Sequence, residues 1–591
     1  MATQIQSGAV SYLTTSVTEA TFLTPEKFDD EQRLMRESAR TFIQREVLPQ
    51  SGAIDHQEPG VLAGLVRQAG EQGLLMIDVP EAYGGAELGL IVSAIVASEM
   101  REASFAVAHG AHTTIGTLPI VFYGTEGQKR RYLPRLATGE LIGAYALTEP
   151  GVGSDAMSIR TRAVLSADGT HYILNGSKQW ISNAGFADVM IVFAKVDDTK
   201  HTAFIVETAW PGISTGAEEK KMGIKGSSTR SVYFDNVQVP VENVLGEIGK
   251  GYKIAFNILN IGRLKLGTGA AGGARSALDM ATRYAGERKA FGRPLHSFGL
   301  IKKKLANMAA DVYAAESLGY RTVGMVEAAR VAAGDDQQAQ LAAIEDYAIE
   351  CSISKVYGSE ALGRNVDEGV QIFGGYGFMQ EYPIEKAYRD ARINRIFEGT
   401  NEINRLVAAG TLFRRAMGGK IDLFSVFPEI EAQVSQGTSA DFAAADTPPA
   451  LRDSVSLLER AKRASIYGVM KGAMKFMTTM DEEQEFLEFT ANLLIDLFAA
   501  DSAIARALDA ARSGNPDAHT HALLAHMAFS RLLPEMRTSL ESALTMTFEG
   551  EERRQELAKV RTYLGDPQTD IVPVQRELAG IVADKGGYPL D

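Results

Sequence analysis

The sequence predicts an α+β protein, mostly α, in four parts: an N-terminal α domain, a central antiparallel β domain, an α-helical bundle domain and an extra C-terminal α-helical domain. Three observations predict this. Apolar residues recur at a spacing of about 3.6 on both sides of a middle stretch. In that stretch, about 141–245, the period falls to short alternating runs separated by Asp-Gly, Asn-Gly and Pro-Gly turn signals. At 591 residues the chain is also too long for one ordinary core.

Taken in order, residues 1–24 are polar and rich in Ser and Thr, and read as a loosely held N-terminal arm. Residues 25–140 form the N-terminal α domain. Phe28, Leu34, Phe42 and Val47 fall near the helical period, and turns such as Tyr83-Gly84-Gly85 break the segments. Residues 141–250 form the β domain. No long helices separate its strands, which disfavours a doubly wound parallel sheet. The helical period returns at Gly251 and defines a bundle over 251–430. Its first helix carries Gly267 to Ala274, small residues that let helix backbones approach closely. A second long helix runs from Phe298 to about Ala332, followed by a polar break at Ala333 to Gln338. The next helix carries Ser354-Lys355 and leads to Gln371. A Ser-, Gly- and Pro-containing stretch, Ser435 to Pro449, marks a boundary. The block 450–591 has long amphipathic runs, Leu457 to Met477 and Glu485 to Ala511, and no catalytic constellation. It is expected to serve packing or oligomerisation, with weak peripheral membrane contact as the alternative.

The net charge of −14 and the lack of a basic stripe disfavour nucleic acid as a partner. The single cysteine, Cys351, rules out an intrachain disulfide, and its neighbours Ile349, Ile353 and Val356 suggest an inert core thiol. No charged-then-apolar leader and no run of about 18 apolar residues is present, so a soluble, cytoplasmic protein is expected. There is no phosphate loop, zinc pair or nucleophile elbow. The nine histidines lack metal-like spacing, and no metal site is expected; His109 and His112 read as satisfied core histidines.

Four stretches carry the chemistry. The first β run ends in Tyr145-Ala146-Leu147-Thr148-Glu149-Pro150-Gly151-Val152-Gly153-Ser154-Asp155, where backbone groups, hydroxyls and glycines suit a flat heterocycle and its phosphate. Lys178-Gln179-Trp180-Ile181-Ser182-Asn183 follows. Trp180 is one of only two tryptophans and is either core or the cover of an aromatic cofactor. Glu287-Arg288-Lys289-Ala290-Phe291-Gly292 suits an anion beside an aromatic surface. The last stretch runs from Gln371 through Gly374-Gly375-Tyr376-Gly377 to Phe397-Glu398-Gly399-Thr400. Glu398, set between an aromatic and a glycine, is either a base with a raised pKa or, more blandly, an N-cap or surface carboxylate before the next helix. The glycine turn has no preceding strand, so it is a poor dinucleotide fingerprint.

In order and spacing these stretches, with Asn175-Gly176 before Lys178 and Arg395-Ile396 before Phe397, resemble the acyl-CoA dehydrogenase family over about residues 25–415. The C-terminal block, Ile258-Leu259-Asn260-Ile261-Gly262-Arg263 and Pro294-Leu295-His296-Ser297-Phe298-Gly299 resemble its very-long-chain branch. The resemblance implies the four-part fold and FAD as cofactor. It implies that Tyr145, Leu147 and Thr148 line the isoalloxazine with Trp180 and Ser182 beside it, and that Ser154 lies near the pyrophosphate and CoA. Arg288, Phe291, Gln371, Gly374 and Gly375 would contact FAD across a homodimer interface, and Thr400 and Glu402 would complete the adenosine side. Ala290 departs from the family, which often has Thr there, so one cofactor hydrogen bond is in doubt. Glu398 would be the catalytic base, flanked by Gly399. Relatives that carry this base on an earlier helix place it where Gly262 stands here, and Arg263 would orient the Glu398 region. Small residues Ala106 and Gly110, one helical turn apart, would let a long acyl tail pass. The implied activity is dehydrogenation of long-chain acyl-CoA to trans-2-enoyl-CoA in fatty-acid β-oxidation, with electrons passed to electron-transfer flavoprotein. The rivals are an oxidase of the same fold that uses oxygen and an assembly factor with little catalysis.

Overall fold

The computed structural model describes residues 8–334, 336–437 and 440–590. Seven helices come first: α1 (Asp30–Phe42), α2 (Ser51–Asp55), α3 (Val61–Glu71), α4 (Gly89–Glu99), α5 (Ala103–Gly110), α6 (Leu118–Tyr123) and α7 (Glu126–Ala137). Local chemistry starts two of them. Asp29 and Gln32 form a reciprocal cap on α1, and Thr125 and Gln128 do so on α7.

Eight strands follow: β1 (Gly143–Ala146), β2 (Arg162–Leu165), β3 (His171–Ser182), β4 (Val189–Val196), β5 (Lys200–Glu207), β6 (Ile213–Thr215), β7 (Thr229–Pro240) and β8 (Val244–Leu245). They form one sheet in the order β6-β7-β3-β2-β4-β5-β8, with β1 also paired to β4. Most ladders are antiparallel, as the alternating pattern predicts. Two are parallel: β1 pairs with β4 over Val189 to Val192, and β2 with β4 at Lys195 and Val196. The reason is topological. The chain runs from β1 to β2 in one direction, so both lie along the same edge of β4. Ala144 and Ala146 pack in the core on one face of the sheet, and Tyr145 and Leu147 in the core that joins it to the helices.

The remaining helices are α8 (Gly251–Glu287), then α9 (Gly299–Ala332) after a small hairpin of β9 (Lys289–Ala290) and β10 (Arg293–Pro294), α10 (Gln337–Asp346), α11 (Ala348–Phe373), α12 (Pro383–Ala391), α13 (Asn401–Met417) and α14 (Phe427–Gln436). The C-terminal block contains α15 (Pro449–Phe476), α16 (Gln484–Arg512), α17 (Ala518–Thr547), α18 (Gly550–Leu564) and α19 (Ile571–Lys585). The small residues of α8 do allow close approach. A Cβ on Gly267 would sit 2.3 Å from Ser354 Oγ on α11, and one on Gly272 would sit 1.9 Å from the Ser98 carbonyl on α4.

The N-terminal arm is a correction. Residues 1–7 lie outside the described residues, but the rest of the arm is not loosely held. Val10, Tyr12, Leu13, Val17 and Phe22 are buried in the core shared by α8, α9, α11, α13 and the C-terminal helices. Polar bonds fix the path: Val10 N–H donates to Glu350 Oε1 at 2.6 Å, Val17 N–H to Glu459 Oε1 at 2.8 Å, and Tyr12 Oη to the Leu494 carbonyl at 3.1 Å. Scattered apolar residues in a polar stretch carry no period, so burial against distant helices left no local signal. Among the described residues no helix is long and apolar enough to cross a membrane.

Candidate active site

The site forms where α8, α11 and α13 meet the turn before α13. After α12 a short 3-10 turn, Arg392–Arg395, delivers the chain to Glu398, whose φ is 58°, and Gly399, whose φ is 81°. A left-handed glutamate is strained and persists only where its surroundings hold it. Here they do. Arg263 Nε donates to the Glu398 carbonyl at 3.2 Å. Asn404 Nδ2 donates to the carbonyls of Gly399 and Thr400 at 2.8 and 3.0 Å. Lys355 Nζ donates to the Gly399 carbonyl at 2.8 Å and to Asn401 Oδ1 at 2.6 Å. Thr400 caps α13, its Oγ1 accepting from Ile403 N–H at 3.3 Å; the Glu402 backbone N–H, and after it the Thr400 hydroxyl, hold the Glu402 carboxyl below its usual range.

With three carbonyls tied inward, the Glu398 N–H donates to no acceptor among the described residues. Glu398 Oε2 is shielded from water and has no hydrogen-bond partner. Burial raises this carboxyl to about 7, against the opposing charges of Arg263 and Lys355. Gly262 makes room for it, because a Cβ there would lie 2.8 Å from Glu398 Oε2. The Tyr145 hydroxyl, also buried without a partner, is pushed well above its usual range by burial and then by the charge of Glu398.

A second group lies at the end of β1. Lys178 Nζ donates to the Leu147 carbonyl at 3.1 Å and to Glu149 Oε1 at 2.7 Å, and Gln179 N–H donates to the Thr148 carbonyl at 2.9 Å. A register shift in the β3–β7 ladder between Lys178 and Ile181 spans Trp180, whose φ is 59°. The bulge turns its indole out to 58% exposure, so Trp180 is not core. Ser182 is half-buried and Ser154 is exposed on the glycine-containing loop. Tyr145 and Leu147 are buried, and Tyr145 packs edge-on against Phe193 at 5.0 Å between ring centres.

The third group is a surface. Arg288 lies over the Tyr376 ring at 5.6 Å, and Phe291 is 95% exposed, with φ 51°. Gln371, Gly374 and Gly375 are exposed too, and a Cβ on either glycine would meet nothing within 4 Å.

Ala106 and Gly110 lie on α5. Asn183 Nδ2 ties that helix to β1 by donating to the carbonyls of Ala108 and Gly143 at 2.9 and 3.3 Å. A Cβ on Gly110 would meet open space. His109 and His112 are satisfied core residues, bonded to the carbonyls of Leu74 and Leu136, each at 3.0 Å. Cys351 is buried, and burial pushes its thiol far up.

Family models described as acyl-CoA dehydrogenase N-terminal, middle and C-terminal domains match residues 29–140, 144–237 and 249–413, and a further C-terminal domain model matches 460–562. The chain belongs to the acyl-CoA dehydrogenase family. It is 43% identical to a probable acyl-CoA dehydrogenase of Bacillus subtilis, over 100% of this chain and 99% of that one. It is 39% identical to the human mitochondrial very long-chain specific acyl-CoA dehydrogenase, over 77% of this chain and 71% of the relative, in keeping with a very-long-chain-like branch. The crystal structure of a Bacillus anthracis acyl-CoA dehydrogenase complexed with FAD superposes with a TM-score of 0.95 at 44% identity, covering 99% of this chain and all of that one.

Lys355 and Asn404 were not singled out by the motifs. Lys355 carried a signal: it lies four residues after Cys351 on a helix face read as core, and a lysine on such a face needs a reason. Asn404 carried none, because its partners are backbone carbonyls.

Proposed function

We propose that the chain is an FAD-dependent dehydrogenase that removes two hydrogens from long-chain acyl-CoA thioesters to give trans-2-enoyl-CoA in fatty-acid β-oxidation. It acts as a homodimer in the cytoplasm, with domains as laid out in the sequence, and passes electrons to electron-transfer flavoprotein. The observation that carries this reading is the half-buried Glu398, whose Oε2 is shielded and unpartnered and whose carboxyl burial raises to about 7, beside its own unpaired N–H.

The residues suit the cofactor. An outward indole at Trp180, the pinned strand end at Leu147 and Thr148 and the open turn at Gly374 and Gly375 offer an aromatic face and accessible backbone. Tyr145, Ser154, Ser182, Arg288, Phe291, Gln371, Thr400 and Glu402 complete the proposed holding set. When bound, FAD supplies the hydride acceptor. Glu398 takes the α-proton of the thioester. Its basicity is higher than that of an exposed glutamate because burial disfavours its charge. Its N–H is placed to donate to the thioester carbonyl and so stabilise the enolate that forms as the proton leaves. Arg263 and Gly399 hold that N–H in place. Ala106 and Gly110 leave α5 free of bulk, which supports passage of a long tail.

The test is anaerobic mixing of the FAD-loaded protein with acyl-CoAs of increasing length, palmitoyl-CoA included. The flavin absorbance is expected to bleach, fastest with long chains. Glu398→Gln is expected to keep FAD and to lose bleaching by roughly three orders of magnitude or more. An unaltered protein that does not bleach ends the dehydrogenase reading, and an active Glu398→Gln ends the assignment of the base. Faster reoxidation by oxygen than by electron-transfer flavoprotein would indicate an oxidase.

A further inference from the structure

Lys355 is completely buried, and no carboxylate is close enough to form an ion pair with it among the described residues. That is unusual, since a buried lysine normally has an acidic partner, as Lys178 has Glu149. Lys355 instead spends two hydrogen bonds on the catalytic turn, at 2.8 Å to the Gly399 carbonyl and 2.6 Å to Asn401 Oδ1. Helix packing forces it there. A Cβ on Gly358 would lie 2.6 Å from the Gly267 carbonyl, so α8 and α11 touch backbone to backbone one turn from Lys355.

We propose that Lys355 is a positioning residue for the base: it pins the Gly399 carbonyl and Asn401 behind Glu398 and keeps a positive charge beside the carboxylate. This rests on the reading of Glu398 as the base. The groups that face Glu398 are Arg263 on α8, Lys355 on α11 and Tyr145 on β1. Lys355 also faces Glu360 on its own helix and Glu402 on α13, and Cys351 faces Arg263. Arg263 is tied to the Glu398 carbonyl and to Asn260 Oδ1 at 3.1 Å, so Lys355 is the second cation acting on the carboxylate and the one bonded to the residue after it.

The sign of the effect follows. Burial draws the Lys355 ammonium down to about 7, so it is charged over the acid side of the profile; there a nearby cation favours the ionised carboxylate, and removing it raises the pH at which Glu398 becomes a base. Lys355→Met and Lys355→Gln are expected to move the acid limb of the kcat/KM profile upward by roughly half to one pH unit. Lys355→Gln keeps a donor to the carbonyl and lacks the charge, whereas Lys355→Arg keeps the charge and is expected to leave the limb in place. Bound FAD per chain and the thermal midpoint are measured for each variant, so a folding defect is seen directly and the other neutral variant carries the test. A limb unmoved in a folded neutral variant overturns the proposal, as does a shift in Lys355→Arg equal to that in Lys355→Met. If Glu398→Gln keeps full activity, the reading of the base has failed instead. If Glu398→Gln is inactive and the neutral Lys355 variants keep the original limb, only the role of Lys355 has failed.

Discussion

Glu398 depends on an atom that Gly262 does not have. A methyl group there would meet Glu398 Oε2 at 2.8 Å, and on the other side the carboxylate is held by a backbone tied to Arg263, Asn404 and Lys355. The carboxylate of Gly262→Ala must therefore turn aside. We expect bound FAD and thermal midpoint to stay close to those of the unaltered protein while kcat falls roughly ten- to a hundred-fold, the usual penalty for misplacing a catalytic group by about 1 Å. Stopped-flow bleaching with a long-chain substrate checks this, and unchanged bleaching would show that the turn absorbs the methyl. The same scale explains why Trp180 could not be assigned from its neighbours. Its exposure comes from a bulge and a φ of 59°, which residue type does not encode.

At the scale of elements, the end of β1 is organised by one buried ion pair. Glu149 accepts from Arg160 N–H at 2.6 Å, Thr161 N–H at 3.0 Å, Thr161 Oγ1 at 2.6 Å and Lys178 Nζ at 2.7 Å. Burial would raise this carboxyl, but the charge and hydrogen bond of Lys178, followed by the Thr161 bond, hold it below its usual range. Burial in turn draws Lys178 down to about 8. Lys178→Met leaves Glu149 buried and unpaired, which costs about 3–5 kcal/mol. It also frees the Leu147 carbonyl. We expect a lower thermal midpoint and at least a roughly tenfold weaker flavin affinity by fluorescence titration, since each tenfold is about 1.4 kcal/mol. Adding Glu149→Gln should restore part of the stability, because the uncompensated charge is then gone. If the single variant binds flavin normally, the pair does not support that strand end.

Over the whole molecule, the N-terminal segment and the C-terminal block share a core with the bundle, so neither is a detachable attachment. Glu26 joins two of them. Burial would raise its carboxyl, but the charge and hydrogen bonds of Arg506 on α16 hold it at about 2, well below the ordinary 4.5. A depressed folded value means stability that is present above about 4.5 and lost as pH falls towards about 2. Its size is at most about 3 kcal/mol. Glu26→Gln should therefore lower the thermal midpoint at pH 7, and the gap to the unaltered protein should narrow steadily as pH falls from about 5 towards about 2. A gap that does not change with pH would mean that the loss is one of packing rather than charge.

The sequence by itself determined the helix–sheet–helix order, the long helices, the extra C-terminal block, the family and the candidate base, because all of these rest on local period and on motifs read within a few residues. The close approach of α8 and α11 was also legible, in the run from Gly267 to Ala274. Only the tertiary structure decided the rest. The shielding of Glu398, the lysine behind it, the outward indole of Trp180 and the docking of residues 8–24 depend on partners far along the chain, as far as from Val10 to Glu350 and from Glu26 to Arg506. A carboxylate becomes a base through what surrounds it, and burial, unlike period, is not a property of neighbouring residues.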